Sequence, residues 1–146
     1  MRRGMRGVKA SVAVAGGERE PLLVVEIPMR LENPLNGSQG RSRKGNLWRA
    51  AQRKKVRQDI WATLLSLGTG RDQGRVRFGC SSWTIVLTRI SPRRFDDDNL
   101  RAAFKAVRDG VADWLGVADN DPRVTWQYRQ ERGQPKQHAV RIEVRQ

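Results

Sequence analysis

Apolar residues fall into runs of two kinds along this chain. Residues 22–27 (Leu-Leu-Val-Val-Glu-Ile) are aliphatic and β-branched and stop at Pro28, which predicts a buried first strand. From about 47 to 67 the spacing turns helical, with Val56, Ile60, Leu64 and Leu67 on one face and Gly68-Thr69-Gly70 ending it. Residues 76–80 and 83–90 read as strands, the second leaving at Pro92. Leu100, Phe104, Val107, Val111 and Leu115 then recur at four, three, four and four, predicting a helix over 99–115 with Gly116 as its stop. Residues 124–128 and 139–144 predict two more strands, and the Gly133-Gln134-Pro135-Lys136 turn between them predicts a hairpin. The order β-α-β-β-α-β-β predicts an α+β fold: one compact domain over 21–146, with a mixed sheet and two main helices. Residues 1–20 read as a basic flexible tail.

Charge changes this picture most. Lys and Arg number 29 against 15 Asp and Glu, a net charge of +14, which predicts attraction to polyanions, nucleic acid first. The excess is concentrated. Arg41, Arg43, Lys44, Arg49, Arg53, Lys54, Lys55 and Arg57 occur without an intervening acid, starting in a loop rich in Gly, Ser, Asn and Pro. A solvated helix face is the plain explanation, but mixed signs would serve solubility better, so a phosphate-contacting surface is favoured. Trp48 lies inside the block; core packing is the commoner fate of a helical Trp, and stacking on an unpaired base the alternative. Trp61, Trp114 and Trp126 are expected in the core or at a subunit interface.

No apolar stretch approaches the roughly 20 residues that span a bilayer, so no membrane partner is expected. Met1 to Gly17 carries Arg2, Arg3, Arg6 and Lys9, and its apolar run 11–15 is short for a secretory signal. An organellar transit peptide or a start at Met5 are the other readings. One cysteine, Cys80, precludes an intramolecular disulfide and fits a reducing cytoplasm. With that cysteine and His138 alone of their kinds, a Cys/His zinc site lacks its ligands. His138 is read as a strand or loop residue without catalytic duty.

The run Arg93-Arg94-Phe95-Asp96-Asp97-Asp98-Asn99 sets three adjacent carboxylates on this basic chain. Neighbouring carboxylates oppose one another's ionisation, and a hard cation such as Mg²⁺, which takes oxygen ligands and keeps several waters, would relieve that. If the approach to the helix is extended, Asp96 and Asp98 point to one side and Asp97 away. Asp121, returned by the helix and loop, would add a third ligand. Each acid has a structural alternative. Asp98 is a candidate N-cap and Asp97 a favourable charge at a helix start. Asp121 is a turn residue before Pro122, and Asp109 a surface partner of Lys105.

The strand, Asp-x-Asp-Asn, helix, acidic loop, hairpin order resembles the RusA family of Holliday-junction endonucleases over about 93–144, and more weakly in the first strand and the loop after it. The resemblance rests on Asp96, Asp98 and Asn99, on Lys105 with Asp109 four residues later, and on Asp121 shortly before a strand-opening Val124. One departure stands out: the family's lysine comes three residues after the asparagine, where this chain has Ala102. Lys105 is one turn later, and Arg101 is the other cation nearby. The resemblance implies a Mg²⁺-dependent endodeoxyribonuclease, with Mn²⁺ as a substitute ion and no small-molecule cofactor, that resolves four-way junctions as a homodimer. Asp96, Asp98 and Asp121 would hold metal and Lys105 would assist at the phosphate. The competing expectations are a non-catalytic basic DNA- or RNA-binding module with a RusA-like fold, and an RNA-binding protein associated with ribosomes.

Overall fold

The computed structural model describes residues 7–12, 21–33, 43–67 and 82–145. Residues 76–80, expected as a strand, lie outside these, as do Arg41 and Cys80. The elements are β1 (Lys9–Val12), β2 (Leu23–Ile27), α1 (Arg43–Ser66), β3 (Trp83–Ser91), α2 (Asp97–Leu115), β4 (Val124–Arg132) and β5 (Ala139–Arg145). They partition into two compact units, one carrying the strands and the other the two helices with the segment through Pro122. The chain is α+β, as its periodicities predict.

In the first unit the strands form one mixed sheet in the order β1-β2-β5-β3-β4. β3 is buried at every position but Thr84, as expected of a near-continuous apolar strand paired on both edges. On one side it pairs antiparallel with β5, setting Leu87 beside Ile142. On the other it pairs parallel with β4, setting Trp83 beside Val124 and Ser91 beside Arg132. The expected hairpin of the last two strands is therefore corrected: β3 lies between them. Gly133 donates to the Ser91 carbonyl at 3.0 Å, so the chain crosses the end of β3 before entering β5. Its turn closes through Gln137 N–H to the Gln134 carbonyl at 3.0 Å, with Lys136 left-handed at φ 63°.

β1 is a second correction. Its four residues fall in the expected flexible tail, yet they pair antiparallel with β2, setting Lys9 beside Glu26 and Val12 beside Leu23. An outer strand of this kind satisfies the N–H and C=O groups that β2 would otherwise present unpaired. Polar residues also tie the sheet across its strands. Arg141 on β5 donates to Glu26 on β2 at 3.2 Å and to Glu131 on β4 at 2.7 Å, and these bonds, Glu131's first, raise its pKa. Arg89, buried in β3, donates to the Arg93 carbonyl at 2.6 Å and to Ser91 Oγ at 3.0 Å. Burial pulls its pKa down. His138 Nδ1 lies 3.2 Å from the same Ser91 Oγ.

In the helical unit α2 buries Leu100, Phe104, Val107 and Val111, the predicted stripe. Gly116 ends it in the left-handed region, φ 71°, with its N–H turned back to the Ala112 and Asp113 carbonyls. α1 buries Ile60 and Leu64 and approaches α2 at Gly110, where an added Cβ would lie 2.7 Å from the Arg57 carbonyl and 2.9 Å from Ile60 Cβ. Beside this crossing Arg57 grips Asp113 with two bonds, Nε to Oδ2 at 2.6 Å and Nη2 to Oδ1 at 2.8 Å. The fork is a strong geometry for such a pair, and the bonding to Asp113 raises the arginine's pKa.

Gly110→Ala is expected to lower unfolding stability by about 1–3 kcal/mol, since the new methyl meets backbone rather than a movable side-chain tip. A urea unfolding midpoint measures this; an unchanged midpoint would mean the helices do not approach at Gly110.

Candidate acidic site and basic helix

The three adjacent carboxylates sit at the start of α2, which begins at Asp97, two residues before the predicted start. Four N–H groups at a helix start lack intrahelical acceptors, and negative charge is favourable beside them. An Asp-rich opening therefore extends the helix toward its N-terminus. Asp96 is the N-cap, with extended backbone (φ −68°, ψ 162°) and a carbonyl that accepts from Leu100 N–H at 2.9 Å, but its carboxylate makes no capping bond. Two expectations change as a result. Asp98 is not the cap, and alternation along an extended segment does not align it with Asp96, because Asp97 and Asp98 are already helical.

Asn99 fixes the cap residue. Its Nδ2 donates to Asp96 Oδ1, three residues back and on the same side of the turn. Asn99 is 8% exposed, and among the described residues its Oδ1 is buried without a hydrogen-bond partner. A buried acceptor left in this state costs roughly 1–3 kcal/mol. Asp96, Asp97 and Asp98 are all exposed.

Ion pairing separates these carboxylates from the others. Glu26, Asp59, Asp109, Asp113, Asp119, Glu131 and Glu143 each hold a Lys or Arg. Among the described residues Asp96, Asp97 and Asp98 hold none. The donors at this corner are all oxygen, which suits a hard cation rather than zinc. Yet among the described residues no three His, Cys, Asp or Glu side chains stand together as a metal cluster. Asp96, Asp98 and Asp121 are thus not gathered into the expected three-carboxylate set.

Lys105 lies eight residues beyond Asp97, about 12 Å along the helix axis, and its partners are Asp109 and Asp119, each at 2.8 Å. Both bonds raise its pKa, Asp109's first, and the bond from Lys105 lowers that of Asp119. Arg108 Nη2 donates to the Asp119 carbonyl. Two cations one turn apart thereby tie the loop after Gly116 back along α2. Asp121 lies in this loop, its N–H donating to the Ala118 carbonyl at 3.1 Å, a turn placement. Asp119 and Arg108 did not stand out in the sequence; the one available signal was a second aspartate two residues before Asp121.

The basic block divides. Arg57 is engaged by Asp113 and Lys55 by Asp59 at 2.8 Å. Lys44, Arg49, Arg53 and Lys54 pair with no acid among the described residues, and Arg43 opens α1. Trp48 is 56% exposed and Leu47 66%, which overturns the core expectation for Trp48. Trp114 is buried, and Trp61 and Trp126 are half-buried. No helix among the described residues is long and apolar enough to cross a membrane.

Comparison of the chain with protein-family models, with curated proteins and with solved structures finds no match.

The Lys105–Asp119 pair is expected to show a double-mutant coupling of about 0.2–1 kcal/mol in unfolding stability, because both side chains are substantially exposed. Lys105→Met and Asp119→Asn are the variants. Asp119's share is present above its ordinary 3.8 and lost as pH falls through its lowered folded value. Lys105's share is present below its ordinary 10.5 and lost as pH rises through its raised folded value. Coupling should be flat between about pH 4 and 10 and disappear outside that window; additive losses at pH 7 would show that the pair does not hold the loop.

Proposed function

We propose that this protein is a Mg²⁺-dependent, structure-selective endodeoxyribonuclease that hydrolyses phosphodiester bonds in branched DNA, four-way junctions above all. The observation that carries the reading is the unpaired carboxylate run. Among the described residues three adjacent acids at a helix start hold no cation, on a chain with a surplus of 14 positive charges. The order of motifs along 93–144, which resembles RusA enzymes, supplies the substrate class.

Mg²⁺ is commonly held by one or two carboxylates together with substrate phosphates, keeping several waters. That habit suits a site without a three-carboxylate cage. Asp96 and Asp98 are the ligands we assign, Asp121 being the third member in the RusA pattern, and Mn²⁺ would substitute. When bound, the ion would polarise the scissile phosphate and activate a water for attack. Asn99 holds the Asp96 carboxylate in one orientation. Because Lys105 is engaged by Asp109 and Asp119, we assign the transition-state charge to Arg101, exposed and three residues after Asp98. Two symmetric cuts across a junction call for two equivalent sites, which a C2 homodimer provides.

The absence of a three-acid cluster among the described residues favours a second reading, a non-catalytic basic DNA- or RNA-binding module. A labelled synthetic four-way junction distinguishes the two, assayed beside linear duplex with and without Mg²⁺. Paired nicks that need the metal and fall by at least about 100-fold in Asp98→Asn, with junction binding unchanged, are the expected result. Tight binding with no cutting in Mg²⁺ or Mn²⁺ would establish the binding module instead.

A further inference from the structure

The solvent face of α1 carries a combination that neither helix packing nor cleavage uses. At 100° per residue Lys44, Leu47, Trp48, Ala51, Lys55 and Gln58 fall on one side of the helix, and every one of them is exposed. Lys54 lies at its border, also exposed. Ile60 and Leu64, the buried positions, lie on the other side. Trp48 therefore stands in the open, one turn from Lys44 and two from Lys55. From Lys44 to Gln58 there is no acid.

We propose that this face of α1 binds single-stranded nucleic acid, with an unstacked base lying on the Trp48 indole and the flanking phosphates drawn to Lys44 and Lys54, the lysines here that hold no acid among the described residues. The inference rests on the nucleic-acid partner of the proposed function but not on cleavage, and it names the structural feature that the protein would recognise: unpaired bases, such as those at a branch point.

An exposed indole is useful to nucleic acid only where a base offers its π-face, and inside a duplex those faces are covered by their neighbours. Stacking platforms set among cations are the usual device of single-strand binders. An anionic membrane would also attract the lysines. It requires an apolar helix face to insert, however, and here Leu47 and Trp48 are the large apolar side chains exposed on the described residues. Charge and aromatic character together select the single strand.

The test is binding of labelled oligo(dT) to the full-length protein in EDTA, followed by fluorescence anisotropy. A blunt duplex of equal length and anionic phosphatidylserine vesicles serve as the other probes. Trp48→Ala should weaken oligo(dT) binding on the order of 10-fold while duplex affinity stays the same. Trp48→Phe, which keeps an aromatic face, should retain most of it. Lys44→Gln and Lys54→Gln should each reduce the log–log salt slope by about 0.7. An unchanged affinity in Trp48→Ala would overturn the proposal, as would an equal loss on duplex, or vesicle binding that depends on Trp48 while oligo(dT) binding does not. Because EDTA suppresses cutting, a protein that binds oligo(dT) through Trp48 but never cleaves would sink the nuclease and leave this inference standing. Junction cleavage with Trp48-independent binding would do the reverse.

Discussion

The parallel register of β3 with β4 is the constraint from which the placement of the chemistry follows. With Trp83 beside Val124 and Ser91 beside Arg132, the chain leaves β3 at one end and must enter β4 at the other. Residues 92–123 have to make up the length of a nine-residue strand, about 30 Å. The carboxylate run comes just after the exit and Asp121 just before the entry. The two ends of a parallel crossover are not neighbours by default. Lys105 and Arg108 tie the loop that carries Asp121 back to α2 through Asp119, without bringing the three acids into one cluster among the described residues.

Basic residues are consequently less uniform in purpose than their number implies. Arg57, at the end of the acid-free block, joins α1 to α2 through Asp113, next to the point where Gly110 lets the two backbones close in. Lys105, the expected assistant at the phosphate, joins helix to loop. Arg141 joins β5 to β2 and β4. Once such structural cations are set aside, Lys44, Arg49, Arg53 and Lys54 on α1 are the block's side chains that hold no acid among the described residues.

How much of this could be read from the residues depended on the range of the interaction. The α2 stripe, the strands β2, β3 and β5 and the Gly116 stop were legible because each is written in a local period or a single glycine. β1 was not: Lys-Ala-Ser-Val has little apolar content, and it is a strand because the edge of β2 is open to it. The hairpin expectation failed for the same reason, since sequence adjacency says nothing about β3 inserting between β4 and β5. In the site, the Asp run and the Lys105–Asp109 spacing were legible. The Lys105–Asp119 bond, spanning 14 residues, depends on a loop path that no local pattern encodes. Trp48 was misread because a helical tryptophan is usually buried, whereas at 100° per residue this one lies on the side of α1 away from Ile60 and Leu64, its buried positions.

The carboxylate run can be explained in two ways, and the structure weighs them differently. Charge beside a helix N-terminus is worth about 0.3–1 kcal/mol for an acid in the first turn, which accounts for having Asp97 or Asp98 there. It does not by itself call for three acids in a row. Nor does it explain Asp96, whose carboxylate leaves the capping bond unmade and is held by Asn99 instead. A side chain nine-tenths buried, with an oxygen unsatisfied among the described residues, is a costly way to orient a carboxylate that holds no cation among them. Under the proposed function the cost is offset when the oriented carboxylate and its neighbours receive a cation, and a small hard ion would share its shell with a phosphate. A nucleic-acid phosphate that completes the ion's coordination would couple metal and substrate binding, so that neither needs a preformed cage.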